Sequence, residues 1–207
     1  MVESDQSVSG EQSLYVPQLE HDACGIGFVA HVKGQKSHQT VEDALTMLTN
    51  MEHRGACGWD PQTGDGAGIL IQVPDAFLRA ELEAQKISLP AAGKYGLGMC
   101  FFPDDDAIQG LCKEAILEYC KKLRINVLGY RKLPYSEAGI GQDALRVRPR
   151  VEQLFVDAVE DLSPEEFERK LFILRRVLSH HMQKNQTCKK NVIIFHIKGN
   201  LLIQLNL

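Results

Sequence analysis

Ala23-Cys24-Gly25-Ile26-Gly27-Phe28-Val29-Ala30-His31 is the stretch on which the reading of this chain turns. At period two, Ile26, Phe28, Ala30 and Val32 share one face, so the spacing predicts a core strand headed by a single cysteine. Gly25 and Gly27 fall on the opposite face. They leave no side chain beside the sulfur, so a substrate or another backbone can come close. A thiol at the head of a strand is by itself an ordinary packing feature. The flanking segments decide whether it is more.

Upstream, residues 1–23 carry five acidic and no basic residues. A secretory signal needs a basic start and an apolar run, and a transit peptide is Arg-rich. The segment fits neither and is expected to be a disordered tail or a removable propeptide ending at Ala23. Downstream, the turn Lys33-Gly34-Gln35 precedes a helix expected over about 40–52. Thr40 and Asp43 suit a capping box, and Val41, Ala44, Leu45, Leu48 and Met51 form an apolar stripe read as core. His53-Arg54-Gly55 then sits at the helix end, where Gly suits a left-handed cap and a basic side chain the dipole. The loop 57–66 ends in Thr63-Gly64-Asp65-Gly66-Ala67-Gly68. It is not a phosphate loop, because the spacing differs and a strand over 67–73 follows. It also lacks the ligand pattern of an EF-hand.

Further on, the pattern predicts helices at 75–86, 104–123 and 163–183 and strands at 95–102, 126–133 and 153–159. A Gly/Ser loop is expected through 143, and a hairpin over 191–207 turning at Lys198-Gly199-Asn200. Ser163-Pro164-Glu165-Glu166 is a complete helix start. Cys112 and Cys120 fall on the apolar face of their helix with Leu111 and Ile116, as packing residues. Arg146, Arg148 and Arg150 read as a solvated strand edge before an anion site, and His180-His181 as complements of a helix dipole before metal ligands.

The totals are those of a globular chain: 207 residues, 44% hydrophobic, 24% charged, net charge −4. The charge gives no general attraction to nucleic acid or an anionic membrane, and no run of 18 apolar residues is present to span a bilayer. Six scattered cysteines at 24, 57, 100, 112, 120 and 188, with no CxxC pair, suggest reduced thiols. The expected compartment is the cytoplasm, with a plastid as the alternative. Strands and helices interleave without regular alternation, which leaves α/β and α+β both open.

Cys24-Gly25-Ile26-Gly27-Phe28, then Met51-Glu52-His53-Arg54-Gly55-Ala56, then Thr63-Gly64-Asp65-Gly66-Ala67-Gly68, taken together, resemble the class II, amino-terminal-nucleophile glutamine amidotransferases, and among them the glutaminase domains of glutamate synthases. The resemblance implies an α+β fold, a four-layer αββα sandwich incomplete at its carboxyl end, with the Cys24 strand near the centre of one sheet. It divides the chain into a propeptide, 1–23, and the front of an amidotransferase domain, 24–207. It makes Cys24 the nucleophile that takes glutamine to glutamate and ammonia through a thioester, and Arg54 the residue that orients it. His53, Gly55, Asp65 and Gly66 shape the site. No metal or cofactor is implied within these residues. FMN and an iron–sulfur cluster belong to other domains of such enzymes, whose FMN-binding and C-terminal domains and a small electron-transfer subunit are the implied partners. The electron donor (NADPH, NADH or ferredoxin) is left open.

One departure stands out. The stretch Lys189-Lys190-Asn191-Val192-Ile193-Ile194-Phe195-His196 lacks the family's Ser-rich pattern, and the family's oxyanion Asn-Gly pair and substrate clamps have no counterpart in the chain. The resemblance therefore predicts weak or absent activity for these residues alone. Two alternatives are a non-catalytic remnant that packs against a partner and a zinc module built from His21, Cys24, His53 and Cys57.

Overall fold

The computed structural model describes residues 25–55, 60, 62–64, 66–184, 195–198 and 203–206. They fall into two compact units divided after Asp65. Cys24, Cys57, Asp65, His21, the segment 1–23 and the stretch 189–194 lie outside the described residues.

In the first unit a single helix, α1 (His38–Asn50), carries the organisation. Its cap is Ser37, three residues before the expected one: Ser37 is extended, and its hydroxyl accepts from the Thr40 N–H at 3.4 Å. An oxygen one turn ahead of the first orphan amides satisfies them, so Thr40 becomes helical. None of its residues is fully buried, so the stripe read as core is a half-buried one. After Met51 the chain tightens into a 3-10 turn, Glu52–Arg54. Gly55 leaves it extended, at φ −82 and ψ 148, with its N–H on the Glu52 carbonyl. The expected left-handed cap does not form, because the tightened turn already uses the last carbonyl.

Residues 25–31 are not a strand, and Val32 already belongs to the turn that follows. A strand is defined by a ladder, and no described segment pairs with this one. Ile26 and Phe28 are 95% and 90% exposed. The face read as core is therefore the open one. The expected turn does form, with Gly34 at φ +66 donating to the His31 carbonyl.

The second unit is built on a four-stranded antiparallel sheet. Its strands are β2 (Tyr95–Phe102), β3 (Ile125–Lys132), β4 (Arg150–Ala158) and β5 (Phe195–Lys198), in the order β3-β4-β2-β5. Alternation sends Cys100, Phe102, Leu154 and Val156 to one face and Tyr95, Leu97 and Phe155 to the other. The first face is covered by α3 (Asp106–Lys122) and α5 (Pro164–Lys184), the second by α2 (Asp75–Glu83) through Leu78 and Leu82. Helix α5 buries Phe167, Leu171, Leu174, Leu178 and Met182, each contributing about 1.5–3 kcal/mol. It can lie close because Gly96 beneath it has no Cβ: one there would stand 2.9 Å from both Leu171 methyls. Its start is the reciprocal box read from the sequence, with Ser163 N–H on Glu166 and Glu166 N–H on the Ser163 hydroxyl.

Several expectations fail in this unit. The stretch 191–207 is no hairpin: β5 joins β2, whereas β6 (Ile203–Asn206) pairs with β1 (Gly68–Ile71) in a separate two-stranded sheet. The loop before β4 contains a short helix, α4 (Gln142–Val147), and β4 starts three residues earlier than expected, at Arg150. The three arginines are neither an anion site nor a bare edge. Arg146 pairs with Asp143, Arg148 with Glu137, and Arg150 with Asp104 and Asp106. Leu111 is half-exposed, whereas Cys112, Ile116 and Cys120 are buried as read. Helices with antiparallel sheets make this an α+β fold, the class expected.

Candidate functional site

Within the first unit, the backbone that follows Cys24 runs along the C-terminal half of α1. A Cβ on Gly25 would lie 3.2 Å from Met51 Sδ and 3.4 Å from Arg54 Cβ. A Cβ on Gly27 would overlap the Met47 thioether, with Cε at 2.8 Å. The glycines were read as leaving room for a substrate or another backbone. The room is filled by Met47, Met51 and the stem of Arg54.

The 3-10 turn sets the neighbouring candidates. Tightening to three residues per turn keeps His53 and Arg54 at the helix end, and both are exposed. His53 Nδ1 lies 3.0 Å from the Asn50 carbonyl, which as a hydrogen bond makes Nδ1 the donor. Gly55 closes the turn. Further along, Asp60 organises the approach to the second Gly-rich run: its carboxylate accepts from Gln62 N–H and the Thr63 hydroxyl, and its carbonyl from Thr63 N–H. Gly66 opens the second unit, with open space around its Cα.

Of the six residues singled out in the sequence, the structure thus places His53, Arg54 and Gly55 on one turn, with Arg54 against the residue that follows Cys24. Sequence reasoning missed Met47. The available signal was its spacing: Met47 and Met51 stand four apart on the helix, opposite glycines two apart on an extended chain.

The described thiols of the second unit have a different character. Cys100, Cys112 and Cys120 are at most 1% exposed. Burial pushes the Cys100 thiol up, further raised by the Glu152 carboxylate, and takes Cys120 to about 12. Such thiols stay protonated and inert. A cavity of about 280 Å³ beside Lys94, Asp161, Leu162 and Phe167 holds no nucleophile, and the Lys94 ammonium already donates to Asp161 and the Leu162 carbonyl. His181 accepts or donates at Tyr119 Oη, 3.1 Å away, in an edge-on ring contact. Among the described residues, no group of three or more His, Cys, Asp or Glu is arranged to hold a metal, and no helix is long and apolar enough to cross a membrane.

Comparison with known proteins gives the geometry a context. The family model described as glutamine amidotransferases class-II matches residues 24–200, so the match begins at Cys24. The chain is 43% identical over 166 residues to the glutamate synthase [NADPH] large chain of Bacillus subtilis, covering 80% of this chain and 11% of that one. It is 37% identical over 185 residues to glutamate synthase [NADH] of Schizosaccharomyces pombe, covering 84% and 9%. It is 32% identical over 166 residues to ferredoxin-dependent glutamate synthase 2 of Synechocystis, covering 80% and 11%. The chain spans about a tenth of the length of these relatives.

Proposed function

The chain belongs to the class II glutamine amidotransferases, and on that premise we propose that it is glutaminase sequence of a glutamate synthase, with Cys24 as nucleophile once residues 1–23 are removed. The observation that supports the reading is the closeness of Arg54 to Gly25, where an added Cβ would stand 3.4 Å from Arg54 Cβ. Gly25 is the residue joined to Cys24 in the chain, so Arg54 is the described cation that the reading pairs with the nucleophile.

The chemistry needs a base. A thiol of ordinary pKa, about 8.5, is mostly neutral at pH 7, whereas an α-amine titrates near 7.7–8.0. Cleavage after Ala23 would turn the amide of residue 24 into that amine, tethered to the nucleophile itself. The amine takes the Sγ proton as sulfur attacks the carboxamide carbon of glutamine. The C–N bond breaks as the ammonium returns its proton to the leaving nitrogen, which gives ammonia and a γ-glutamyl thioester. Water, deprotonated by the same amine, then displaces the thiol as glutamate forms. Arg54 orients the nucleophile, while His53, Gly55, Asp65 and Gly66 shape the site.

In the whole protein the ammonia would serve reductive synthesis of glutamate from 2-oxoglutarate. FMN and an iron–sulfur cluster, on further domains, would supply the electrons, and a small electron-transfer subunit could deliver them. Within this reading residues 24–207 alone turn glutamine over slowly. Loss of one oxyanion donor costs about 10²–10³ in rate, and the apolar face at Ile26 and Phe28 has no cover among the described residues. The work belongs to a reducing, cytoplasm-like compartment.

Amino-terminal sequencing of the active protein, paired with trapping by a glutamine-like diazoketone, tests the reading. The expected terminus is Cys-Gly-Ile-Gly-Phe, with the adduct on Cys24. Active enzyme that retains Met1 or Val2, or an adduct placed elsewhere, would overturn it.

A further inference from the structure

We propose that Met47 and Met51 are positioning residues, a two-point thioether seat that holds the backbone after the nucleophile at a fixed height above α1 and beside Arg54. The proposal rests on the reading of Cys24 as nucleophile. Its grounds are a match of two periodicities. Two residues of extended chain advance about 6.6 Å, and four residues of helix about 6 Å. An extended segment running antiparallel to a helix can therefore meet it twice in register. That is the arrangement here: Gly25 lies over Met51, and Gly27 over Met47.

Exposure gives independent support. Ile26 and Phe28 are 95% and 90% exposed, whereas Val29, on the glycine side, is only 39% exposed. Val29 is thus the less exposed, on the side that Gly25 and Gly27 turn to the helix. The fit is close: a Cβ at position 27 would overlap the Met47 thioether, which must then shift, and one at 25 would press on Met51 and Arg54. A flexible thioether can lie flat beneath a bare backbone and fill the space that the glycines leave. Because α1 buries none of its residues fully, little else in the described unit holds the segment down. The seat and the Arg54 stem meet at Gly25, one residue from the reacting sulfur. A change in seat height is thus passed directly to the nucleophile.

The experiment measures the rate at which a glutamine-like diazoketone alkylates Cys24. It uses the full chain, cleaved so that Cys24 is the amino terminus, with analogue concentration and pH varied and urea midpoints recorded alongside. Gly27→Ala is expected to lower the maximal alkylation rate about tenfold or more, the scale of a misplaced reacting group. The half-saturating concentration and the pH midpoint should stay in place. Gly27→Ala combined with Met47→Ala, which removes the overlap, should recover most of the loss, a rescue that general destabilisation would not show. Should Gly27→Ala fail to fold, Met51→Ala reads the same seat by deletion and is expected to be slow where Met51→Leu is not. Wild-type rates in Gly27→Ala, no recovery in the double variant, or equal rates in Met51→Ala and Met51→Leu would each overturn the seat. A wild-type chain that is not alkylated at Cys24 would instead overturn the nucleophile reading, and the seat with it.

Discussion

Limiting alkylation should rank the thiols of this chain by environment, and the ranking can be worked out beforehand. At pH 7.5 a thiol of ordinary pKa, about 8.5, is roughly one-tenth thiolate. Cys120, pushed up to about 12, is thiolate in only about one molecule in 30,000. The ratio is about three thousand before access is considered, and Cys120 is 1% exposed. Cys100, raised further and with no exposed surface, should be slower still. With sub-stoichiometric iodoacetamide on the native chain cleaved after Ala23, Cys24 should be modified at least a thousandfold faster than Cys100 or Cys120. Peptide mass spectrometry after quenching reads this directly. In urea above the unfolding transition the rates should converge to within a few-fold, because burial alone sets them apart. Native-state modification of Cys100 or Cys120 at rates near that of Cys24 would refute both the packed-thiol description and the assignment of Cys24.

Gly96→Ala should cost about 1–3 kcal/mol in urea unfolding, since its methyl would stand 2.9 Å from Leu171 and 3.1 Å from Val156 in a filled core; an unchanged midpoint would show that α5 yields freely. The Glu166 carboxyl is held below the usual range chiefly by the Ser163 N–H, so its stabilising effect is complete above about pH 4.5 and is lost as pH falls through its lowered native value. Glu166→Gln should therefore lower stability at pH 7 and converge with wild type by about pH 2; a gap persisting in acid would place the effect elsewhere. Arg54→Ala should slow alkylation of Cys24 by about 10–100-fold, as expected for a lost orienting group, with the urea midpoint little changed because Arg54 is exposed.

Much of the second unit was legible in the sequence because its signals are local. The range of β2 was read to the residue from an apolar run between turn signals, and the start of α5 from Ser163 and Glu166. What failed was non-local. Phe195–Lys198 and Ile203–Asn206 look like hairpin arms around a Gly-Asn turn, but each has a partner far back in the chain, and no spacing rule carries that information. Helix α4 is too short for periodicity to register, and its neighbouring arginines are settled by carboxylates elsewhere. At the candidate site, period two separated Gly25 and Gly27 from Ile26 and Phe28 as the structure does. Hydrophobicity then assigned the wrong one inward, because close approach to α1 demands the absence of a side chain rather than an apolar one.

The pairing of β1 with β6 also has a consequence in time. Among the described residues Gly68–Ile71 finds its ladder in Ile203–Asn206, about 130 residues later. At a synthesis rate of ~5–20 residues per second, β1 waits roughly 6–26 s on the ribosome before its partner exists. For that interval Ile69 and Ile71 belong to a nascent strand with an open edge. Slow codons between the two strands would lengthen its exposure to chaperones and to neighbouring chains.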